Sequence, residues 1–126
     1  LDRRIFTRVQ IEGTKIQYKL ANMRKFISVL SKPMDVKDIS KSGLSFYTLE
    51  SLHSGEQIYM KVRFPDGRHL KLRGRIRWQE EEDHEDTFRI GVQFAPFGSS
   101  NEYNSMKDWE YLRSIQGLEI MERASE

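Results

Sequence analysis

No cysteine occurs among the 126 residues, which excludes a disulfide framework, thiolate zinc sites, Cys-ligated iron–sulfur clusters and a cysteine nucleophile in one step. Long apolar runs are missing too. Nothing approaches the roughly 20 residues of a bilayer-spanning helix or the about 7 to 15 of a signal-peptide core, so neither membrane insertion nor export is expected, and a cytoplasmic location follows as the expectation. Histidine is sparse: His53, His69 and His84 fall in different segments, with neither the i, i+4 pairing nor the His/Glu motif of a metal hydrolase. They read as scattered surface histidines. Also missing are a Gly-x-Ser-x-Gly elbow, a phosphate-cradling Gly-x-x-x-x-Gly-Lys loop and a dinucleotide fingerprint. An enzyme is therefore not expected, nor is a bound cofactor or metal.

What is present suffices for one core. Hydrophobic residues make up 37% and charged residues 32% of the chain, a polar but not disordered balance at the commonest size of a single domain. The chain opens on Leu1 rather than Met, which fits a piece of a longer protein or a trimmed terminus. Formal net charge is only +2, but residues 1–79 hold 17 Lys and Arg against 7 Asp and Glu, whereas residues 80–126 hold 4 against 12. The basic excess of the first part favours an anionic partner such as a nucleotide, nucleic acid or anionic membrane, or else forms a solvated face. The acidic run from Glu80 to Asp86 lacks the Gly-punctuated spacing of a calcium loop and reads as a solvated hairpin tip.

Two-residue alternation dominates the first three quarters of the chain. Val9 and Ile11, then Ile16, Tyr18 and Leu20, alternate with polar residues around Gly13; Phe26–Leu30, Met34–Ile39, Leu44–Leu49, Gln57–Phe64, His69–Gln79 and Thr87–Phe94 continue the series. Pro65-Asp66-Gly67 is a turn signal that pairs its flanking strands as a hairpin, because Pro presets one corner and Gly accepts positive φ at the other. Short strands at this spacing predict a mainly all-β domain, a small closed barrel or a sandwich. After Pro96 and Gly98 the period changes to that of a helix. Ser99 or Ser100 is the expected cap, Tyr103, Met106, Trp109, Tyr111, Leu112 and Ile115 form the apolar face, and Gly117 is a candidate end or interruption.

Two segments carry recognisable binding chemistry. Arg3, Arg4 and Arg8 place three guanidiniums in six residues, and a guanidinium is a flat, permanent cation that forks onto phosphate or the O6/N7 edge of guanine and stacks on bases. In Val36–Leu44, Asp38 can accept from the N1 and N2 edge of guanine, Ser40 can serve phosphate or base, and Gly43 lets the backbone turn and approach a ligand closely. Taken separately, the first is an ordinary solubilising terminus and the second an ordinary strand-to-turn segment. In order, Arg-x-x-x-Arg (Arg4, Arg8) and Asp-x-Ser-x-x-Gly (Asp38, Ser40, Gly43) resemble the two ligand motifs of the PilZ domain family. The similarity continues through Gly55, Asp66-Gly67, Gly74-Arg75-Ile76-Arg77-Trp78 and Phe88-Arg89-Ile90-Gly91-Val92-Gln93-Phe94, covering roughly residues 3 to 115.

That resemblance implies a bacterial receptor for the second messenger cyclic di-GMP, built as a six-stranded antiparallel β-barrel with a C-terminal α-helix. Residues 1–8 would be a flexible ligand-binding arm, 9–98 the barrel and 99–126 the helix and tail. Arg4 and Arg8 would close over the ligand while Asp38 and Ser40 meet a guanine, Gly43 supplying the close turn. Trp78 matches an aromatic position that faces the site in some relatives, and equally reads as a half-buried wall residue. Arg75 and Arg77 add positive potential or form a solvated face. Arg3, a third guanidinium, suggests two ligand molecules per chain, since a stacked pair concentrates four negative charges. A downstream protein partner is expected. Two readings compete: a nucleic-acid-binding small barrel, disfavoured because only Trp78 is a candidate exposed aromatic, and a ligand-independent adaptor, disfavoured because both motif arginines are present.

Overall fold

The computed structural model describes residues 8–21, 30–83 and 86–125, of which 116–125 are described by backbone alone. The expected strand over Phe26–Leu30 lies outside them, except Leu30, which belongs to no strand. Six strands are described: β1 (Lys15–Leu20), β2 (Met34–Ile39), β3 (Gly43–Thr48), β4 (Gln57–Arg63), β5 (His69–Glu81) and β6 (Phe88–Phe94). All pairs are antiparallel, and the order β1-β2-β3-β6-β5-β4 closes on itself as a barrel. Closure removes the sheet edges that an open meander would leave unpaired.

Alternation decides which side chains fill the barrel. In β4, Ile58, Met60 and Val62 are buried and Gln57, Tyr59 and Arg63 exposed; in β5, Leu70, Leu72 and Ile76 are buried while Lys71, Arg73 and Arg75 are exposed. Register slips by one residue between Ile76 and Trp78, a bulge that turns Trp78 outward. The expected hairpin forms between β4 and β5: the Gly67 N–H donates to the Phe64 carbonyl at 2.9 Å, and Gly67 adopts φ +93°, where a Cβ would be strained.

One polar group enters the core with its partners. The Tyr18 hydroxyl meets the Thr48 hydroxyl and Glu50 Oε1, each at 2.9 Å. Burial, reinforced by Glu50, pushes the phenol up to about 12.

The helix α1 spans Met106–Ser125 and begins later than the sequence suggested. Its cap is Ser105, whose Oγ accepts from the Lys107 N–H at 3.0 Å, not Ser99 or Ser100. Residues 99–104 instead form turns held by Asn104. This buried side chain accepts from the Arg73 N–H at 2.7 Å and donates to the Arg73 and Ala95 carbonyls, each at 3.0 Å, so the chain leaving β6 is stitched to β5 before the helix starts. Tyr103, expected on the helical face, precedes the helix and is exposed. Gly117 lies inside α1 and does not end it. Leu112 reaches the core, and the Phe64 and Tyr111 rings meet edge-on at 5.1 Å.

Candidate functional site

The two sequence motifs converge because the chain preceding β1 is pinned to β2. Val9 and Ile39 exchange both backbone hydrogen bonds at 2.9 Å, and Val9 is buried. This isolated bridge, rather than a strand at Val9–Ile11, brings Arg8 beside Asp38. The Arg8 Nη1 group donates to Asp38 Oδ1 at 3.0 Å, and the same oxygen accepts from the Ser45 hydroxyl at 2.8 Å. Arg8, the last residue of the expected arm, therefore lies against the barrel. Arg3 and Arg4 lie outside the described residues.

The other motif residues shape the turn from β2 to β3. Ser40 is buried, its Oγ 3.1 Å from the Ser42 hydroxyl and accepting from the Ser42 N–H at 3.2 Å, so it braces the turn in this structure. Gly43 answers to a neighbouring strand: a Cβ there would come within 2.1 Å of the Val92 carbonyl oxygen on β6. Beside them, the Lys41 ammonium lies 5.5 Å from the centre of the Trp109 ring, linking the motif turn to α1.

Outward-facing positions line up from this point across the barrel. Asp38 pairs with Ser45, Ser45 with Gly91, and Gly91 with Trp78, one cross-strand row over β2, β3, β6 and β5. Small residues in the middle leave room for the indole: a Cβ on Gly91 would sit 2.0 Å from Trp78 Cε2. Trp78 is 36% exposed. The ring faces outward and lies against Gly91, in the row that contains Asp38.

Arg89, which the sequence reading did not single out as a site residue, forms the next row. Its guanidinium lies 5.3 Å from the Trp78 ring centre and bonds Glu80 Oε2 at 2.7 Å, while its Nε–H is buried without a partner among the described residues. The signal that could have found it is alternation, because Arg89, Gly91 and Gln93 share the outward face of β6. The result is a strip with cations at Arg8 and Arg89, an acceptor at Asp38 and a flat aromatic surface at Trp78. Such a strip can hold an anion carrying planar, hydrogen-bonding rings. No cluster of metal-ligating side chains occurs among the described residues.

A closed six-stranded antiparallel barrel with one C-terminal helix defines the class, and comparison gives the family. The model of the PilZ domain matches residues 3–109: the chain belongs to the PilZ domain family. No curated protein matches it in sequence. Among solved structures, it superposes on the inhibitor of motility MotI/DgrA of Bacillus subtilis with a TM-score of 0.72 at 14% identity, over 97% of this chain and 53% of that one. The chain thus spans about half the length of that protein, and at this identity the likeness is one of fold.

Proposed function

We propose that this domain is a receptor for cyclic di-GMP, as PilZ domains generally are, and that its activity is binding rather than turnover. The observation that carries the reading is the convergence of Arg8 and Asp38 at 3.0 Å from opposite ends of two separated motifs. In the free domain each satisfies the other. A ligand offering a phosphate to Arg8 and a guanine N1/N2 edge to Asp38 replaces one ion pair by two charge-assisted contacts. The half-buried surroundings make those contacts worth more than at an open surface.

Arg4 joins Arg8 on the phosphates, Trp78 offers its ring face to a base, and the Arg89 guanidinium beside that ring adds a further cation. Closure of residues 1–8 over the ligand transmits the signal, with Lys41 on Trp109 as the contact through which the motif turn reaches α1. Arg3 beside the motif pair supports two stacked ligands. MotI/DgrA, named as an inhibitor of motility, favours a protein target downstream. Among the described residues no helix is long and apolar enough to cross a membrane.

Calorimetric titration of Arg8→Ala tests the assignment. Loss of a bidentate, charge-assisted contact costs about 2 to 4 kcal/mol, roughly 30- to 1000-fold in Kd, and Arg8→Lys recovers little because an ammonium neither forks nor stacks. Unchanged affinity in Arg8→Ala would remove the motif from the site.

A further inference from the structure

Opposite the motif-bearing strands, the barrel wall carries cations that the ligand site does not use. In the ring of six, β2 and β3 lie across from β5 and β4. The outer side of β4 and β5 presents Lys61, Lys71, Arg73, Arg75 and Arg77 around Tyr59. Lys61 and Lys71 are direct cross-strand partners, an arrangement that destabilises a sheet. None of these five cations forms an ion pair among the described residues. Arg73 and Arg75 instead donate to the backbone carbonyls of Asn101 and Gly55, at 2.7 and 2.6 Å, which holds the guanidiniums while leaving their charge uncompensated.

The surface is shaped as well as charged. A groove of about 480 Å³ runs along Arg73, Arg75 and Arg77, with the exposed rings of Tyr59 and Tyr103 at its side and one carboxylate, Glu102. Lys19 and Arg73 lie 5.9 and 5.8 Å from the Tyr59 ring centre. Exposed Tyr with Arg is the composition of protein-recognition hot spots. β4 is paired on both sides, to β1 and to β5, so a partner lying on its outer face is read through side chains. Alternate residues on a strand are about 6.6 to 6.8 Å apart, a spacing that alternate carboxylates of an extended polypeptide reproduce. A membrane is disfavoured by the lack of an apolar wedge among the described residues of β4 and β5, and single-stranded nucleic acid by the cations already placed against Tyr59.

We propose that the outer face of β4 and β5 is a docking surface for an acidic segment of a protein partner, held by Lys61, Lys71, Arg73, Arg75 and Arg77 and anchored on Tyr59. It stands independently of the cyclic di-GMP reading. The two surfaces meet at β5, where Arg77 of the docking face precedes Trp78 of the ligand strip, while Asp38 on β2 and Lys61 on β4 lie on separate parts of the ring.

Fluorescence anisotropy with labelled poly-L-glutamate tests this, alongside a (dT)20 oligonucleotide and vesicles containing 30% phosphatidylglycerol. Wild type should bind poly-L-glutamate with salt-dependent affinity, and Lys71→Glu/Arg73→Glu should lose at least about tenfold, whereas a matched reversal elsewhere, Lys32→Glu/Lys107→Glu, should lose no more than about threefold. Thermal unfolding verifies the fold, and if the reversal variant fails to fold, Lys71→Gln/Arg73→Gln should show a smaller loss in the same direction. No binding of poly-L-glutamate, equal losses in the face and control variants, or tenfold preference for the oligonucleotide or the vesicles would each overturn the proposal.

Discussion

Replacing Asp38 by Ala separates base recognition from charge attraction, because the carboxylate does two opposed things. Toward guanine it accepts from N1 and N2, and a hydrogen bond to a charged group contributes about 1.5 to 3 kcal/mol. Toward Arg8 it is a competitor. The Arg8–Asp38 pair is about one-fifth to one-quarter exposed, 25% and 19% by side chain, and such a pair is worth up to about 1 kcal/mol, which the ligand must overcome to recruit Arg8. Removing Asp38 therefore costs about 0.5 to 3 kcal/mol for cyclic di-GMP, roughly a 2- to 150-fold weaker Kd. Cyclic di-AMP lacks the N1 and N2 donors, so for it only the release of Arg8 remains, and affinity should stay level or improve by up to about fivefold. Ser45 loses its acceptor in the variant, at about 1 kcal/mol of stability, so both titrations belong well below the melting transition. Calorimetry of wild type and Asp38→Ala against both ligands reads the comparison. Equal weakening for the two, or no change for either, would refute base reading and leave Asp38 as a brace for Arg8 and Ser45.

Further outcomes follow from the packing. Gly91→Ala places a methyl group inside the Trp78 ring, so in a Trp109→Phe background the emission of Trp78 should shift to the red with a loss of about 1 to 3 kcal/mol in denaturant unfolding; unchanged emission would contradict the contact. Tyr18 has its phenol pKa raised, so the protonated form is favoured by folding: its stabilisation is complete below about pH 10 and is lost as pH rises toward about 12. Denaturant titrations across that window should show wild-type stability falling more steeply than that of Tyr18→Phe, and parallel curves would disprove the linkage. The ligand-to-protein ratio should be two in wild type and fall in Arg3→Leu; a ratio of one, or two in both, removes Arg3 from this role.

Much of the barrel was legible because burial in a closed sheet imposes a period of two on each strand; Gln57–Arg63 and Phe88–Phe94 carry that period with little interruption, whereas Met34–Ile39 breaks it at the register shift between Val36 and Asp38. The helix start was misplaced for an identifiable reason. Ser99, Ser100 and Ser105 are all competent caps, and the choice among them is made by Asn104, whose bonds to Arg73 and Ala95 are tertiary and leave no local pattern. At the candidate site, motif spacing identified Arg8 and Asp38 as related residues, and the Val9–Ile39 bridge supplies the contact between them. Alternation places Arg89 on the outward face of β6, but which residue of β5 it faces depends on register. The bulge between Ile76 and Trp78 sets that register, and an inserted residue is invisible to a two-residue period.

Equilibrium titration of the wild-type domain with cyclic di-GMP is the most direct test of the central claim. Saturable binding is predicted, with displacement by unlabelled cyclic di-GMP and not by equimolar GMP, which carries one guanine and cannot bridge the arm and the barrel row. Absence of binding up to millimolar ligand, with the barrel shown to be folded by circular dichroism, would contradict it.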